Sequence, residues 1–231
     1  TASTVTVIYD FNREDKEFEN DEHVTTFVEN DFISHKSYTT GINENEISLK
    51  GFHNFFDIAV AFAVCTDLGV SVEGFNKALK TYKTLPHRLE FVGNIDGIKF
   101  YDDSISTIPA TAIEAMNTIK DTDTIIIGGM DRGIDYEPLI KYLETSTVPN
   151  IILMETTGAR IKEEVKMGYM ELNNSERLHL VDNLSEAVKL AKKLTEKGKS
   201  CIMSPAAASY GIFKNFEERG EVFKRLVKGE I

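Results

Sequence analysis

The sequence has few cysteines and no long hydrophobic segment. Its 231 residues include only Cys65 and Cys201, with no C-x2-C spacing, so neither a disulfide framework nor a cysteine metal site is supported. Both lie in apolar contexts, and we expect buried free thiols in a reducing, cytoplasmic environment. No run approaches about 18 consecutive apolar residues, and no basic-then-apolar signal opens the chain. We therefore expect neither a membrane span nor a secretion signal.

Positive charge is also scarce. The chain has 26 Lys and Arg against 37 Asp and Glu, which gives a net charge of −11. A basic stripe with interleaved aromatic residues, which nucleic-acid binding would need, is missing. A nucleotide substrate can still bind an acidic protein, because a few local donors and a metal ion set the potential in a cleft. The expected ligands are small molecules, with neither nucleic acid nor a membrane as a partner.

A phosphate-binding loop of the form G-x4-G-K-[ST] is missing as well. The nearest match is Gly198-Lys199-Ser200, but Lys193 stands where the first glycine should be. Such a loop needs a strand before it and a helix after it, so that backbone N–H groups cradle phosphate. Here a helical pattern precedes the tripeptide and a strand pattern follows it. We interpret it as a helix C-cap glycine and a turn.

What the sequence does contain is a regular alternation of strands and helices after a boundary near Thr84-Leu85, where Pro86 disfavours a continued helix. This alternation implies right-handed βαβ crossovers, and so an α/β, Rossmann-like, doubly wound, mainly parallel sheet.

Before the boundary the pattern is less regular. It predicts a strand over residues 4–9, a charged surface helix and loop over 12–31, short strands over 25–50, and helices over 54–68 and 72–82. After the boundary it predicts a hairpin (89–92 and 98–101), strands at 124–127, 151–154, 178–181 and 201–203, and helices at 109–119, 138–144, 159–167, 185–196 and 216–228.

The most informative segment is 204–220, SPAAASYGIFKNFEERG. It follows the apolar strand pattern of Cys201, Ile202 and Met203 and precedes an amphipathic helix, so its small and hydroxyl residues lie just past the carboxyl end of a strand. In open α/β sheets ligands bind at that edge. The segment resembles the C-terminal signature of the Mur ligases, and most closely of the members that add glutamate.

Four further segments resemble the same family in the expected order: LKGFHN (49–54), LPHRLE (85–90), YDDSIST (101–107) and GGMDR (128–132). The resemblance implies that residues 1–84 are the C-terminal part of the family's central ATP-binding domain. It implies that residues 85–231 are its C-terminal, glutamate-binding domain. The missing N-terminal and central domains would be partners, the substrates would be ATP, glutamate and UDP-N-acetylmuramoyl-L-alanine, and Mg²⁺ would be held by ligands upstream of this chain. The fragment alone would be inactive.

The resemblance also assigns the nucleotide contacts. Arg88 would bind the ATP phosphates as the catalytic arginine, Asn54 and Asp57 would face adenine, and Asp103 and Thr107 would lie at the ribose side. Asp57 departs from the family's asparagine and can accept but not donate a hydrogen bond. Two plainer interpretations stay open: Asn54 as a helix N-cap, and Arg88 as a surface partner of Glu90. For His87 a packed or capping role is the expectation.

The amino-acid contacts implied by the resemblance are Arg132, Ser209 and Phe216, although plain core packing is an equal alternative for Phe216. Ile105 departs from the lysine usual in members that add D-glutamate, and Arg132 replaces a second lysine. Because the positive charge would then lie on only one side of the amino-acid site, L-glutamate stays open as an alternative substrate to D-glutamate. Tyr210 and Gly211 also differ from the residues usual in the family, and the sequence assigns no effect to this difference.

Two other functional classes stay open at this point. Folylpolyglutamate synthase is a related ligase that also adds glutamate, although its C-terminal motifs differ from residues 204–220. A binding-only Rossmann-like module without catalysis is the other, because a fold by itself does not specify chemistry. The sequence upstream of Thr1 would separate these readings.

Overall fold

The computed structural model describes residues 6–9, 24–29, 32–43, 46–49 and 52–231. Its Cα positions group into two compact units, Thr1–Thr84 and Leu85–Ile231. The assignment of these units to particular Mur ligase domains stays a prediction. No helix in the described part of the chain combines the length and apolar character that crossing a membrane requires.

The first unit packs two helices against a small sheet. Its strands run in the order β1-β2-β3-β4, with β1 and β2 parallel and the other neighbours antiparallel. Ile33, Phe62 and Phe75 are among its core residues, and Ser71 caps the second helix by accepting from the Gly74 N–H. The elements are β1 (Thr6–Tyr9), β2 (Val24–Glu29), β3 (Phe32–His35), β4 (Tyr38–Gly41), α1 (Phe52–Asp67) and α2 (Val72–Thr81).

Two sequence predictions overlap in this unit, and the structure separates them. Residues 24–29 form strand β2, which agrees with the short strands predicted over 25–50 and contradicts the surface helix and loop predicted over 12–31; residues 10–23 and 30–31 lie outside the described residues. The run Val-Thr-Thr-Phe-Val is rich in β-branched residues, and Thr26 and Val28 are buried on one face of the strand. This half-buried strand pattern outweighs the charge of the residues around it.

The second unit is a six-stranded, mainly parallel sheet covered by helices on both faces, as the sequence predicted. Its strands run in the order β5-β6-β10-β7-β8-β9, and only the β5–β6 hairpin is antiparallel. The strands are β5 (Glu90–Ile95), β6 (Ile98–Asp102), β7 (Thr122–Gly128), β8 (Asn150–Met154), β9 (Leu178–Val181) and β10 (Ser200–Met203). The helices are α3 (Pro109–Thr118), α4 (Glu137–Thr145), α5 (Glu155–Gly168), α6 (Met170–Asn174), α7 (Leu184–Leu194) and α8 (Phe216–Lys228).

Side-chain alternation along β7 gives this sheet two cores. Ile125 and Ile127 pack with α3, α4, α5 and α6, while Ile126 packs with α7 and α8. Successive residues of a strand point to opposite faces, so a continuous apolar run is what a doubly covered sheet requires. The expectation of buried free thiols is confirmed in part: both cysteines are free, Cys201 of β10 is buried, and Cys65 of α1 in the first unit is half-buried.

Two helical features escaped the sequence analysis. Helix α6 is only five residues long, too short for a periodic pattern to reveal. Helix α5 begins at Glu155, four residues before the predicted start, directly after β8. Gly158 permits this, because a Cβ there would lie 2.8 Å from the Leu153 carbonyl carbon. The sequence predicted a helix C-cap and a turn at Gly198. Thr195 is the C-cap of α7, and Gly198 lies in the turn before β10 with φ +87°.

Candidate functional site

Three loops of the second unit meet at the carboxyl ends of β6, β7 and β10. Backbone hydrogen bonds join the loops after β7 and β10, where Gly128 donates to the Pro205 carbonyl at 2.9 Å and Met130 donates to the Ala208 carbonyl at 2.8 Å; the Asp103 N–H after β6 donates to the Met203 carbonyl of β10 at 2.9 Å. The first turn of α5 joins the same assembly, because the Thr157 N–H donates to the Gly129 carbonyl at 3.0 Å. The segment that the sequence singled out, 204–220, therefore lies at the ligand-binding edge of the sheet.

Two glycines make this close approach possible. Gly128 and Gly129 have φ values of +139° and +154°, which side-chain-bearing residues rarely adopt. A Cβ on Gly128 would lie 2.0 Å from the Met154 carbonyl oxygen, and one on Gly129 would lie 2.4 Å from the Ala208 carbonyl oxygen. The GGMDR segment thus supplies the glycines that let the loop after β7 approach the end of β8 and the loop after β10.

His87 is a packed residue, as expected. Its Nδ1 lies 2.7 Å from Asp102 Oδ2, and both side chains are buried. The other Asp102 oxygen accepts from the Ser104 N–H at 3.0 Å. Burial raises the pKa of Asp102, and the hydrogen bond from His87 opposes that shift. This pair fixes residues 85–90 to the end of β6.

Asp103 joins the same segment to β10. Its Oδ1 accepts from the Leu89 N–H at 3.1 Å, and its Oδ2 accepts from the Ser204 hydroxyl at 2.6 Å. The residue is only 5% exposed, and burial raises the pKa of Asp103 to about 6. A carboxylate has about four accepting positions, so the Asp103 carboxyl can also accept from a ligand hydroxyl.

Arg88 does not pair with Glu90, so that alternative is wrong. Glu90 instead accepts from the His87 N–H at 2.9 Å and from Lys224 Nζ at 3.2 Å. The Nε of Arg88 is buried and has no hydrogen-bond partner in the structure. A buried guanidinium N–H without an acceptor is costly, and an anionic ligand oxygen would satisfy it.

The expected amino-acid contacts lie around the same loops. Arg132 is exposed, and its Nη2 donates to the Thr107 carbonyl at 2.8 Å, which brings these two predicted residues together. Ser209 is buried next to the Met130–Ala208 bridge. Phe216 is half-buried, with its ring edge-on to His87 at 6.1 Å between centroids. Core packing therefore accounts for part of what Phe216 does.

Asn54 and Asp57 belong to the first unit. Helix α1 begins at Phe52, so Asn54 lies inside the helix and the N-cap alternative is wrong. Asn54 is buried and Asp57, one turn later, is exposed. Lys50 and Gly51 of the LKGFHN segment lie outside the described residues. The adenine-facing role of Asn54 and Asp57 stays a prediction.

Sequence reasoning missed Arg219, a fully buried arginine in the first turn of α8. A signal existed, because Gly220, Phe223 and Val227 mark the inward stripe of the helix and position 219 adjoins it. Its guanidinium contacts the loops after β6 and β10.

One group of side chains has the composition of a metal site. His87, Glu90 and Asp102 each place a possible ligand atom within 4.8 Å of the others. The His87 ring is bonded to Asp102, and Glu90 is bonded to Lys224, so these groups satisfy one another. We assign no metal to them.

Comparison with known proteins agrees with this geometry. Residues 87–207, more than half of the chain, match the family model "Mur ligase, glutamate ligase domain". The UDP-N-acetylmuramoylalanine–D-glutamate ligase of Caldanaerobacter subterraneus subsp. tengcongensis is 40% identical over 187 residues, which are 80% of this chain and 40% of that protein. The enzyme of the same name from Aquifex aeolicus is 33% identical over 203 residues, or 87% of this chain and 47% of the relative.

Solved structures share the fold at low identity. MurF from Acinetobacter baumannii superimposes with a TM-score of 0.66 at 14% identity, covering 99% of this chain and 52% of its own. Folylpolyglutamate synthase from Mycobacterium tuberculosis gives 0.60 at 16% identity, covering 84% and 44%. The chain spans less than half the length of the two curated relatives described above. Because this family model covers more than half of the chain and most of the second unit, the chain belongs to the Mur ligase family.

Proposed function

We propose that the chain is part of an ATP-dependent ligase that adds glutamate to UDP-N-acetylmuramoyl-L-alanine during synthesis of peptidoglycan precursors. The observation that carries this proposal is the 40% identity to a D-glutamate ligase over 80% of the chain. Residues 1–84 would be the C-terminal part of the ATP-binding domain, and residues 85–231 the glutamate-binding domain. The likeness to folylpolyglutamate synthase, at 16% identity, supports only a shared fold.

In the proposed reaction the terminal phosphoryl group of ATP passes to the alanyl carboxylate, and the amine of glutamate then displaces phosphate to form the amide. Positioning and charge stabilisation supply most of the catalysis in phosphoryl transfer. Arg88 fits that task, because its buried Nε has no protein acceptor and can donate to a phosphate oxygen. Bound Mg²⁺ would neutralise phosphate charge.

The nucleotide ribose would lie against Asp103. This carboxyl accepts hydrogen bonds from the Leu89 N–H and the Ser204 hydroxyl, and it can accept a further one from a ribose hydroxyl. Thr107 would border the same region through a side chain that is half-buried. Asn54 and Asp57 of α1 would contact adenine. In this proposal the hydrogen bonds of Asp103 keep the segment with Arg88 at the end of β6.

The amino acid would bind between the loops after β7 and β10. Arg132 donates one hydrogen bond to the Thr107 carbonyl. Because its side chain is exposed, its other N–H groups can donate to a carboxylate. Ser209 would contribute a hydroxyl, and Phe216 an apolar wall. The names of the relatives favour D-glutamate, while the apolar Ile105 in the neighbouring loop keeps L-glutamate as an outcome to test.

An activity assay of the full-length protein tests the proposal. Phosphate release should require ATP, UDP-N-acetylmuramoyl-L-alanine and one enantiomer of glutamate, and the 231-residue chain alone should release none. Turnover that depends on a folate, or no glutamate-dependent turnover at all, would overturn the proposed function.

Three variants test the residue roles in the same assay. Hydrogen bonds to charged groups contribute about 1.5–3 kcal/mol, so Arg88→Ala should lower kcat/KM for ATP by about 10- to 150-fold. Arg132→Ala should raise the KM for glutamate far more than the KM for ATP. Ile105→Lys reports whether a cation in that loop changes the choice of enantiomer. An Arg88→Ala enzyme within about twofold of the parent would leave this arginine a purely structural group.

A further inference from the structure

Arg219 is the largest fully buried side chain in the described part of the molecule. It lies in the first turn of α8, whose N-cap Asn215 accepts from the Glu218 N–H. Long charged side chains are almost never fully buried unless they have a partner. The contacts of Arg219 therefore need an explanation beyond helix packing.

Its guanidinium joins two loops that are far apart in sequence. Nε donates to the Ser104 hydroxyl at 3.0 Å, and Nη2 donates to the Ser104 carbonyl at 2.8 Å. Nη1 donates to the Ala207 carbonyl at 3.0 Å. Ser104 in turn donates through its hydroxyl to the Phe216 carbonyl at 2.7 Å. One planar, rigid fork thus fixes the loops after β6 and β10 to each other and to α8.

All three acceptors are neutral oxygens. Among residues 85–231, all of which the structure describes, no carboxylate forms an ion pair with Arg219. Burial lowers the pKa of Arg219 to about 10, while Glu155 and Asp102 oppose that shift only through space. A buried charge without a direct counter-ion is expensive, so the fold keeps a positive charge behind the loops at a cost in stability.

Glu155 is the carboxylate whose charge most favours the charged form of Arg219, but its own backbone is strained. It has φ +59° at the start of α5, and its Oε1 is buried with no hydrogen-bond partner. Burial raises the pKa of Glu155, which weakens it as a counter-charge. The loop segments 103–108 and 204–210 contain no lysine or arginine of their own. Arg219 is therefore the cation that lies directly behind both segments.

We infer that Arg219 is a positioning residue, which holds the loops after β6 and β10 in register and supplies, from behind them, positive potential for a carboxylate ligand. The inference rests on the proposed function for the identity of that ligand, glutamate. Arg132 would contact the carboxylate directly, whereas Arg219 acts through Ser104, Ala207 and its field. In a water-poor interior such a charge is only weakly screened.

The test uses the full-length protein with Arg219→Met and Arg219→Lys, and Arg225→Met as a matched control, because Arg225 is exposed on the same helix. Steady-state kinetics give KM for glutamate and for ATP. Hydrogen exchange followed by mass spectrometry reports the backbone protection of peptides that cover 104–108 and 205–210. The lysine variant keeps the charge but loses the planar fork, so the two variants separate the two roles.

Arg219→Met should raise the KM for glutamate by about 10- to 150-fold with little change in the KM for ATP, and both loop peptides should exchange faster. Arg219→Lys should speed exchange similarly but raise that KM by less than about tenfold. Arg225→Met should change neither. A glutamate KM within about twofold of the parent in Arg219→Met would overturn the inference.

Two complications are covered by the same design. If Arg219→Met does not fold, Arg219→Lys decides: faster exchange confined to the two loops with a raised glutamate KM supports the inference, and unchanged values overturn it.

If the parent enzyme shows no glutamate-dependent turnover, the proposed function fails, but loop exchange still decides whether Arg219 positions the loops. Faster hydrogen exchange in both loops of the Arg219 variants supports that role, and unchanged exchange refutes it.

Discussion

Charged side chains lie in different surroundings at the two ends of the six-stranded sheet. At the amino ends of β6 and β10, Lys99 pairs with Asp121, and the Ser200 hydroxyl donates to Asp121 at 2.8 Å. At the carboxyl ends of the same strands, Asp102 and Asp103 are buried and Arg219 has only neutral acceptors. The same β-strands therefore begin among paired, partly exposed charges and end among buried ones.

The directions of the pKa shifts express this difference. The hydrogen bond to Asp121 raises the pKa of Lys99; burial pushes the pKa of Asp121 up, but its bonds to Lys99 and Ser200 bring it below the ordinary value. At the other end burial raises the pKa of Asp102 and Asp103 and lowers that of Arg219. For these five groups, the charged form is thus favoured at the amino end and disfavoured at the carboxyl end. Groups kept in a disfavoured state are typical of functional sites.

Packing at the carboxyl end gives the largest expected effect. Gly220 of α8 lies under the His87–Asp102 pair, and a Cβ there would lie 2.1 Å from His87 Nδ1 and 2.6 Å from Asp102 Oδ2. Gly220→Ala should therefore lower the free energy of unfolding by about 3 kcal/mol or more, since overpacking outweighs the better helix propensity of alanine. Urea unfolding followed by circular dichroism measures this.

Gly168→Ala is the matched control for that variant. Gly168 also lies in a helix, α5, but nothing lies within 4 Å of the Cβ that alanine would add. The control should be neutral or up to about 1 kcal/mol more stable, as helix propensity alone predicts. Equal effects of the two substitutions would mean that the carboxyl end tolerates added volume, and the contrast between the ends would fail.

Much of the second unit could be predicted because its signals are local. The run of Ile125, Ile126 and Ile127 specifies a doubly covered strand, and the loops after such strands mark the ligand-binding edge. Helix α6 could not be predicted, because five residues are too few for periodicity to emerge. Strand β2 agrees with the short strands predicted over 25–50, although the charged residues before it also suggested a surface helix and loop.

The charge network of the site was less predictable for a different reason. His87 and Asp102 are 15 residues apart in sequence, and Arg219 and Ser104 are 115 apart. No local pattern reports such pairings, because they arise only when the sheet brings strand ends together. The family resemblance supplied Arg88, Asp103 and Arg132, but it did not supply the partners that hold Asp103 or the role of Arg219.

The next prediction uses pH to separate the two ends. Asp103 has a folded-state pKa of about 6, above the ordinary 3.8, so the folded chain retains a proton that the unfolded chain has lost. This contribution to stability is present below about pH 4 and is lost as the pH rises through about 6, for a total of about 3 kcal/mol. Asp103→Asn removes it, so the variant should gain stability relative to the parent between about pH 4 and about pH 7.

Asp121→Asn is the counterpart at the amino end and should show the opposite slope. The lowered pKa of Asp121 gives a contribution that is present above the ordinary pKa and is lost as the pH falls through the folded-state value. Relative to the parent, Asp121→Asn should therefore be least stable near neutral pH and should approach it in acid. Urea titrations from about pH 2 to about pH 7 measure both slopes, because the Asp121 contribution changes only below its ordinary pKa and the Asp103 contribution changes above its own. Parallel slopes for the two variants would contradict the proposed difference.

The smallest effect is expected from the ion pair at the amino end. Lys99 and Asp121 have side chains that are 33% and 36% exposed, and pairs of this kind contribute at most about 1 kcal/mol because water and salt screen them. Lys99→Met should cost no more than that, the cost should shrink in high salt, and kcat/KM of the full-length enzyme should stay within about twofold. Lys120→Met, an exposed neighbour outside the pair, is the control. Here the charges stabilise each other and serve the fold, so a tenfold loss of activity on removing Lys99 would mean that function is not confined to the end of the sheet where charge is held at a cost.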